Sequence, residues 1–302
     1  MARKSSSDSG GFIFKTGLFA ILAGLAFWIF NKFGGEKTVA PDIPGPATGQ
    51  TESVEPPASS PTLTDQVLPL STTGAIVRHT YYTLSYSEDH EQAEWVVYEL
   101  NRDRLNQNWV ERDASFRPDP AVRTESATPN DYRGSGYDRG HLVPAADMAF
   151  NELAMSETFF MSNMSPQLKA FNGGVWRELE ECTRDWARRF KLLYVVTGPV
   201  LSRGGLAEIG FSKVTVPSAF YKVLLAPDQG RAIAFILPNE LSDRPLMEYA
   251  TTIDQVEQLT GIDFFPQVLK GLNEELEGSL DKNAWPIDSR RYQRRLQEWN
   301  RR

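Results

Sequence analysis

The chain has 302 residues, 41% of them apolar and 24% charged, with a formal net charge of −7 and a pI near 5.2. That length can bury a large core, one cysteine excludes an intrachain disulfide scaffold, and the acidic balance excludes a protein that holds nucleic acid by bulk positive charge. An ordinary globular domain with appendages remains.

Residues 1–11 are polar, with Arg3 and Lys4. Residues 12–30 are apolar apart from Lys15 and Thr16; as a helix they reach about 28 Å, enough to cross a bilayer if Lys15 snorkels to the interface. The expectation is a single-pass transmembrane anchor. Arg3, Lys4 and Lys15 against Lys32 and Lys37 bias the N-terminus toward the cytoplasm, so the remainder would be periplasmic or extracellular. A cleaved signal peptide is the rival, but Thr38-Val39-Ala40 lies far beyond the apolar run and precedes Pro41. Residues 31–68 are rich in Pro, Ser, Thr and Ala and read as a semi-flexible tether.

Residues 69–275 carry the folding signals. Residues 78–86 and 95–100 are aromatic and β-branched around a charged turn, a strand-turn-strand pattern. His79 and His90 fall there and read as packing or surface histidines. The run Tyr132-Arg-Gly-Ser-Gly-Tyr-Asp-Arg-Gly-His141-Leu-Val-Pro144 then places Gly134, Gly136 and Gly140 where a tight path is needed. It presents His141, an imidazole that titrates near neutrality and can take a proton from water. A helix is expected from Asn172 to about Phe190, where Asn172 taken alone reads as an N-cap and Glu180 as a solvated helix charge. Val175, Leu179, Cys182 and Trp186 form its apolar stripe, which makes Cys182 core packing rather than a nucleophile.

Residues 192–197, 213–216, 220–225 and 232–237 read as strands, the last covered on both faces. Thr252 with Gln255 caps a helix over 253–260 that Gly261 ends. The pattern is α+β. The end of the chain, 276–302, closes on Arg290, Arg291, Arg294, Arg295, Arg301 and Arg302, a basic helix that either meets an anionic partner or is solvated.

Asp138-Arg139-Gly140-His141 is followed by Phe159-Phe-Met-Ser-Asn163-Met-Ser-Pro-Gln167, Asn172 and Val175-Trp-Arg-Glu-Leu-Glu180. It is preceded by Glu111-Arg112-Asp113 and Phe116-Arg-Pro-Asp-Pro120, and Val195-Val-Thr-Gly-Pro199 comes later. In order and spacing this resembles the DNA/RNA non-specific endonuclease family, the ββα-metal nucleases. The resemblance covers roughly residues 75–270 and implies a mainly antiparallel central sheet flanked by helices. It implies His141 as general base, Asn172 as the one direct protein ligand of Mg2+, with Mn2+ as an alternative ion, and Glu180 as an outer-shell carboxylate. Arg112 would contact the scissile phosphate, with Arg139 and Asn163 in support; Asp138 is given only a structural part in the turn. DNA and RNA are the implied substrates, and a homodimer is left open.

A local positive cleft from Arg112, Arg117, Arg133 and Arg139 would offset the acidic total. Two rivals stand: a membrane-tethered DNA-binding or uptake module with an idle site, and a hydrolase of small phosphodiesters. No Gly-x-Ser-x-Gly elbow supports a serine hydrolase.

Overall fold

The computed structural model describes residues 65–70, 73–107, 109–201 and 206–300. The apolar run 12–30 and most of the tether lie outside the described residues. Among the described residues no helix is long and apolar enough to cross a membrane.

The strands are β1 (Ala75–Arg78), β2 (Tyr82–Ser87), β3 (Gln92–Asn101), β4 (Tyr137–His141), β5 (Met164–Leu168), β6 (Leu192–Pro199), β7 (Glu208–Ile209), β8 (Val214–Thr215), β9 (Ala219–Ala226), β10 (Arg231–Pro238) and β11 (Ala250–Thr251). The α-helices are α1 (Arg102–Leu105), α2 (Glu152–Glu157), α3 (Arg177–Phe190), α4 (Ile253–Thr260), α5 (Pro266–Leu272) and α6 (Ser289–Arg294), with a short turn Lys169–Phe171 before α3. Seven strands form one sheet, β1-β2-β3-β6-β9-β10-β11, antiparallel at each junction.

Period-two alternation splits the central strands between two cores. Val96 and Tyr98 of β3 join Val195, Leu224 and Phe235 under Leu179, Cys182, Trp186 and Phe190 of α3. Trp95 and Val97 face the other way and join Val196, Val223 and Ala234 under Ile253 and Val256 of α4 and Leu269 of α5. The sheet is thus covered on both faces, which is why its strands read as continuous apolar runs. Val67, at the end of the expected tether, is already buried in this second core.

Residues 78–86 do not form one strand. His79 N–H donates to Tyr82 O at 2.9 Å, closing a turn between β1 and β2, and Thr80 N–H and Oγ1–H donate to the Glu157 carboxylate at 3.1 and 2.9 Å. An acceptor 77 residues away holds that turn. Helix α4 begins and ends where its caps put it: Thr252 Oγ1 accepts from Gln255 N–H at 3.2 Å and Gly261 is left-handed at φ 75°.

Candidate active site

A two-stranded ribbon and a helix build the site. β4 pairs antiparallel with β5, setting Asp138 opposite Gln167, Gly140 opposite Ser165 and His141 opposite Met164; the chain then turns through Asn172 into α3. Gly134 and Gly136 hold positive φ in the entering loop. Gly140 serves close approach instead: a Cβ there would lie 2.2 Å from Gln167 Cδ. The end of β4 is fixed by the buried Asn163, whose Oδ1 accepts from Val143 N–H at 2.9 Å and whose Nδ2 donates to Val143 O at 3.1 Å and Thr158 O at 2.9 Å. Its amide is fully engaged by backbone, so Asn163 positions His141 rather than facing the cleft.

The His141 ring packs edge-on against Phe159 at 5.0 Å and tilted against Phe116 at 5.8 Å. Arg112 lies over Phe159 at 5.1 Å and Arg139 over Phe116 at 4.0 Å, so two aromatic rings gather one imidazole and two guanidinium groups. Burial, then Arg112, then Arg139, pushes the His141 pKa down to about 3. The ring is therefore neutral far below the neutral range expected from its residue type. Its Nε2 is buried and has no hydrogen-bond partner.

Asn172 lines a cavity of roughly 460 Å³ together with Phe116, Pro129, Tyr132, Arg133, Tyr137, Asp138 and Arg139. His141 stands outside that lining, two residues along β4 from Arg139, and shares Phe116 with it. Asn172 is not the N-cap of α3: it has helical φ and ψ at the end of the Lys169–Phe171 turn and begins a wide turn, Asn172–Trp176, broken at Gly174 (φ −105°, ψ −113°) before α3 starts. Its Nδ2 donates to Asp138 Oδ2 at 3.0 Å. A carboxylate only accepts, so Asp138 fixes which end of the amide it meets and leaves Asn172 Oδ1 for another partner. One oriented amide oxygen beside a polar cavity fits a hydrated Mg2+, which takes oxygen ligands and keeps several waters. Asp254, Glu257 and Glu277 also cluster, but none of them lines this cavity.

Glu180 belongs to a charged layer with Asp147, Arg184 and Lys222. Tyr98 OH donates to Asp147 Oδ2 at 2.8 Å and Arg184 Nη1 to Asp147 Oδ1 at 2.7 Å. Lys222, fully buried on β9, donates to Thr197 Oγ1 at 2.6 Å and lies 5.0 Å from the Trp176 ring centre. Burial raises the Glu180 pKa, with Arg184 and Lys222 opposing, and burial lowers that of Lys222, with Glu180 and Asp147 opposing.

A model of the DNA/RNA non-specific endonuclease family matches residues 59–271. The chain belongs to that family. Mitochondrial endonuclease G of Homo sapiens is 36% identical over 203 residues, 62% of this chain and 68% of its own length. A nuclease of Nostoc sp. is 35% identical over 214 residues, 66% of this chain and 76% of its own. Mitochondrial nuclease EXOG of Xenopus laevis is 36% identical over 204 residues, 62% of this chain; the match spans only 57% of that relative. A crystal structure of an EndoG/EndoGI complex matches with a TM-score of 0.62 at 29% identity, covering 67% of this chain and 90% of that one.

Within this member of the endonuclease family, Arg139 and Asn172 line the cavity, Arg112 and His141 meet around Phe159, Asn163 supports the ribbon and Glu180 sits in the charged layer behind. Arg117 does not join the cleft: its guanidinium donates to Ser115 O and to Ser156 O and Oγ and packs over Phe160 at 4.2 Å. Both other histidines are engaged, His79 with Asp119 Oδ2 at 2.9 Å and His90 with Thr215 Oγ1 at 3.0 Å. Two groups escaped the sequence reading. Asp138 orients Asn172 as well as shaping the turn, and Lys222 charges the layer around Glu180. The sequence signal for Lys222 is a lysine inside the apolar run 220–225, where an unpaired ammonium is costly.

Proposed function

We propose that this chain is a metal-dependent, sequence-non-specific endonuclease that hydrolyses phosphodiester bonds of DNA and RNA. His141 is its general base and Asn172 its direct ligand to Mg2+. The observation that carries this reading is the neutral His141 ring, its Nε2 without a hydrogen-bond partner, beside Arg112 and Arg139.

Arg112 and Arg139 bind the phosphate through its non-bridging oxygens, and in the free protein burial together with their charges keeps His141 neutral. A bound phosphodiester offsets those charges, so the ring becomes more basic when substrate arrives. His141 Nε2 then takes a proton from water as the water oxygen bonds to phosphorus and the bond to the leaving 3′ oxygen breaks. Glu180 orients water from the buried side. A bound Mg2+, held by Asn172 with Asp138 orienting that ligand, would stabilise the charge developing on phosphate and leaving oxygens.

The binding-module reading finds less support, since the chain is acidic overall and the cleft aromatics Phe116 and Phe159 are covered by guanidinium and imidazole rather than offered for stacking. Supercoiled plasmid, RNA and a small phosphodiester, each incubated with the full chain and Mg2+ or with excess chelator, separate the readings. Loss of both polymers only with Mg2+ is expected. Intact plasmid and RNA with Mg2+ would overturn the proposal, and cleavage of the small ester alone would transfer it to another substrate class.

A further inference from the structure

We infer that the C-terminal segment 289–300 is a strap that positions the Asn172 turn, with Arg295 as its anchor. The inference rests on the reading of Asn172 as metal ligand. Residues 289–300 lie beyond the family match, which ends at residue 271.

Gly174 departs from helical φ and ψ between the Asn172 turn and α3, so the direction of Asn172 depends on what packs around residues 172–176. On the sheet side Trp176 stacks near Phe171 at 5.4 Å and Phe220 at 5.6 Å. On the opposite side lies Asn300: a methyl group on Gly174 would come within 3.0 Å of Asn300 Oδ1, which is buried and without a partner. Asn300 Nδ2 donates to Ser242 O and Asp243 Oδ1, both at 2.9 Å. The residue is thereby wedged between the 242–243 loop and the break.

Arg295 holds the wedge in place. It is fully buried; Nε donates to Glu178 Oε2 at 2.5 Å, Nη1 to Ser242 O and Nη2 to Arg244 O at 2.5 Å. One planar fork thus ties the second residue of α3 to the same loop that grips Asn300. Arg291 adds ion pairs to Glu181 and Asp185, and Arg177 stacks over Trp299 at 4.3 Å. The arginines of this segment that looked free for nucleic acid, Arg291 and Arg295, are spent on α3.

The test is Mn2+ affinity of the folded full chain, read by paramagnetic resonance of the free ion, with the melting temperature recorded beside it. Arg295→Met alone would strand a buried carboxylate, so the variants are Asn300→Ala, the double Glu178→Gln/Arg295→Met, and Asn172→Ala. Groups that orient a ligand typically govern metal affinity about 10- to 100-fold, so Asn300→Ala and the double variant are expected to bind Mn2+ at least about tenfold more weakly while folded. Unchanged affinity in both, with only the melting temperature lowered and Asn172→Ala no longer binding, would overturn the strap and keep the site. If the double variant does not fold, Asn300→Ala decides alone. Parent-like affinity in Asn172→Ala would remove the metal reading of the cavity, and the strap with it.

Discussion

Among single residues, the site depends on the proton state of His141 and the orientation of Asn172. His141 is neutral because two arginines and burial oppose its charged form. Its folded pKa is lowered from 6.5 to about 3, so only the unfolded chain takes up that proton between these values. The stability this group contributes is complete above about 6.5 and is lost as pH falls toward 3. Metal-free parent protein should therefore lose about 2 kcal/mol more than His141→Asn between pH 7 and 5, measured by denaturant unfolding at each pH. Equal losses would mean that the imidazole is not held neutral. Asp138→Asn keeps the side-chain size but lets the facing amide take either orientation; Mn2+ affinity should fall about 10- to 100-fold. The glycines and His141 were legible in the sequence because a tight turn needs particular residue types. The work of Asp138 was not, since its partner lies 34 residues on, nor was the His141 pKa, lowered by burial first and then by Arg112 from a separate loop.

At the scale of elements, local chemistry was readable wherever it was self-contained. The α4 caps and the apolar runs of β6, β9 and β10 fall where residue pattern puts them, within one or two positions. The β1–β2 turn did not, because Glu157 holds it from far away; the start of α3 did not, because Gly174 breaks the turn that Asn172 begins. Lys222 is the sharpest case of an element carrying an unexpected charge. Lys222→Met leaves Glu180 and Asp147 facing Arg184 alone in a buried layer, and we expect a loss of about 3 kcal/mol of stability with a rise in the pH at which cleavage sets in. Lys222→Arg should restore the pH dependence better than the stability, since a longer side chain must fit a fully buried position. Wild-type stability and pH profile in Lys222→Met would show that the lysine is inert.

For the whole molecule, a net charge of −7 and the proposed action on polyanions are compatible only if positive charge is local. Arg112, Arg133 and Arg139 are the cleft cations with Arg117 withdrawn, so the affinity for duplex DNA in chelator should fall with salt at a log–log slope of about −2 to −3. A slope near −8 would require a much broader basic face. The most direct measurement of the central claim is magnesium-dependent nicking of supercoiled plasmid by the parent, His141→Ala and Asn172→Ala, each checked for native folding. Both variants should be slower by at least about 100-fold; parent-like nicking by either folded variant would contradict the pairing of a neutral imidazole with an amide-held ion.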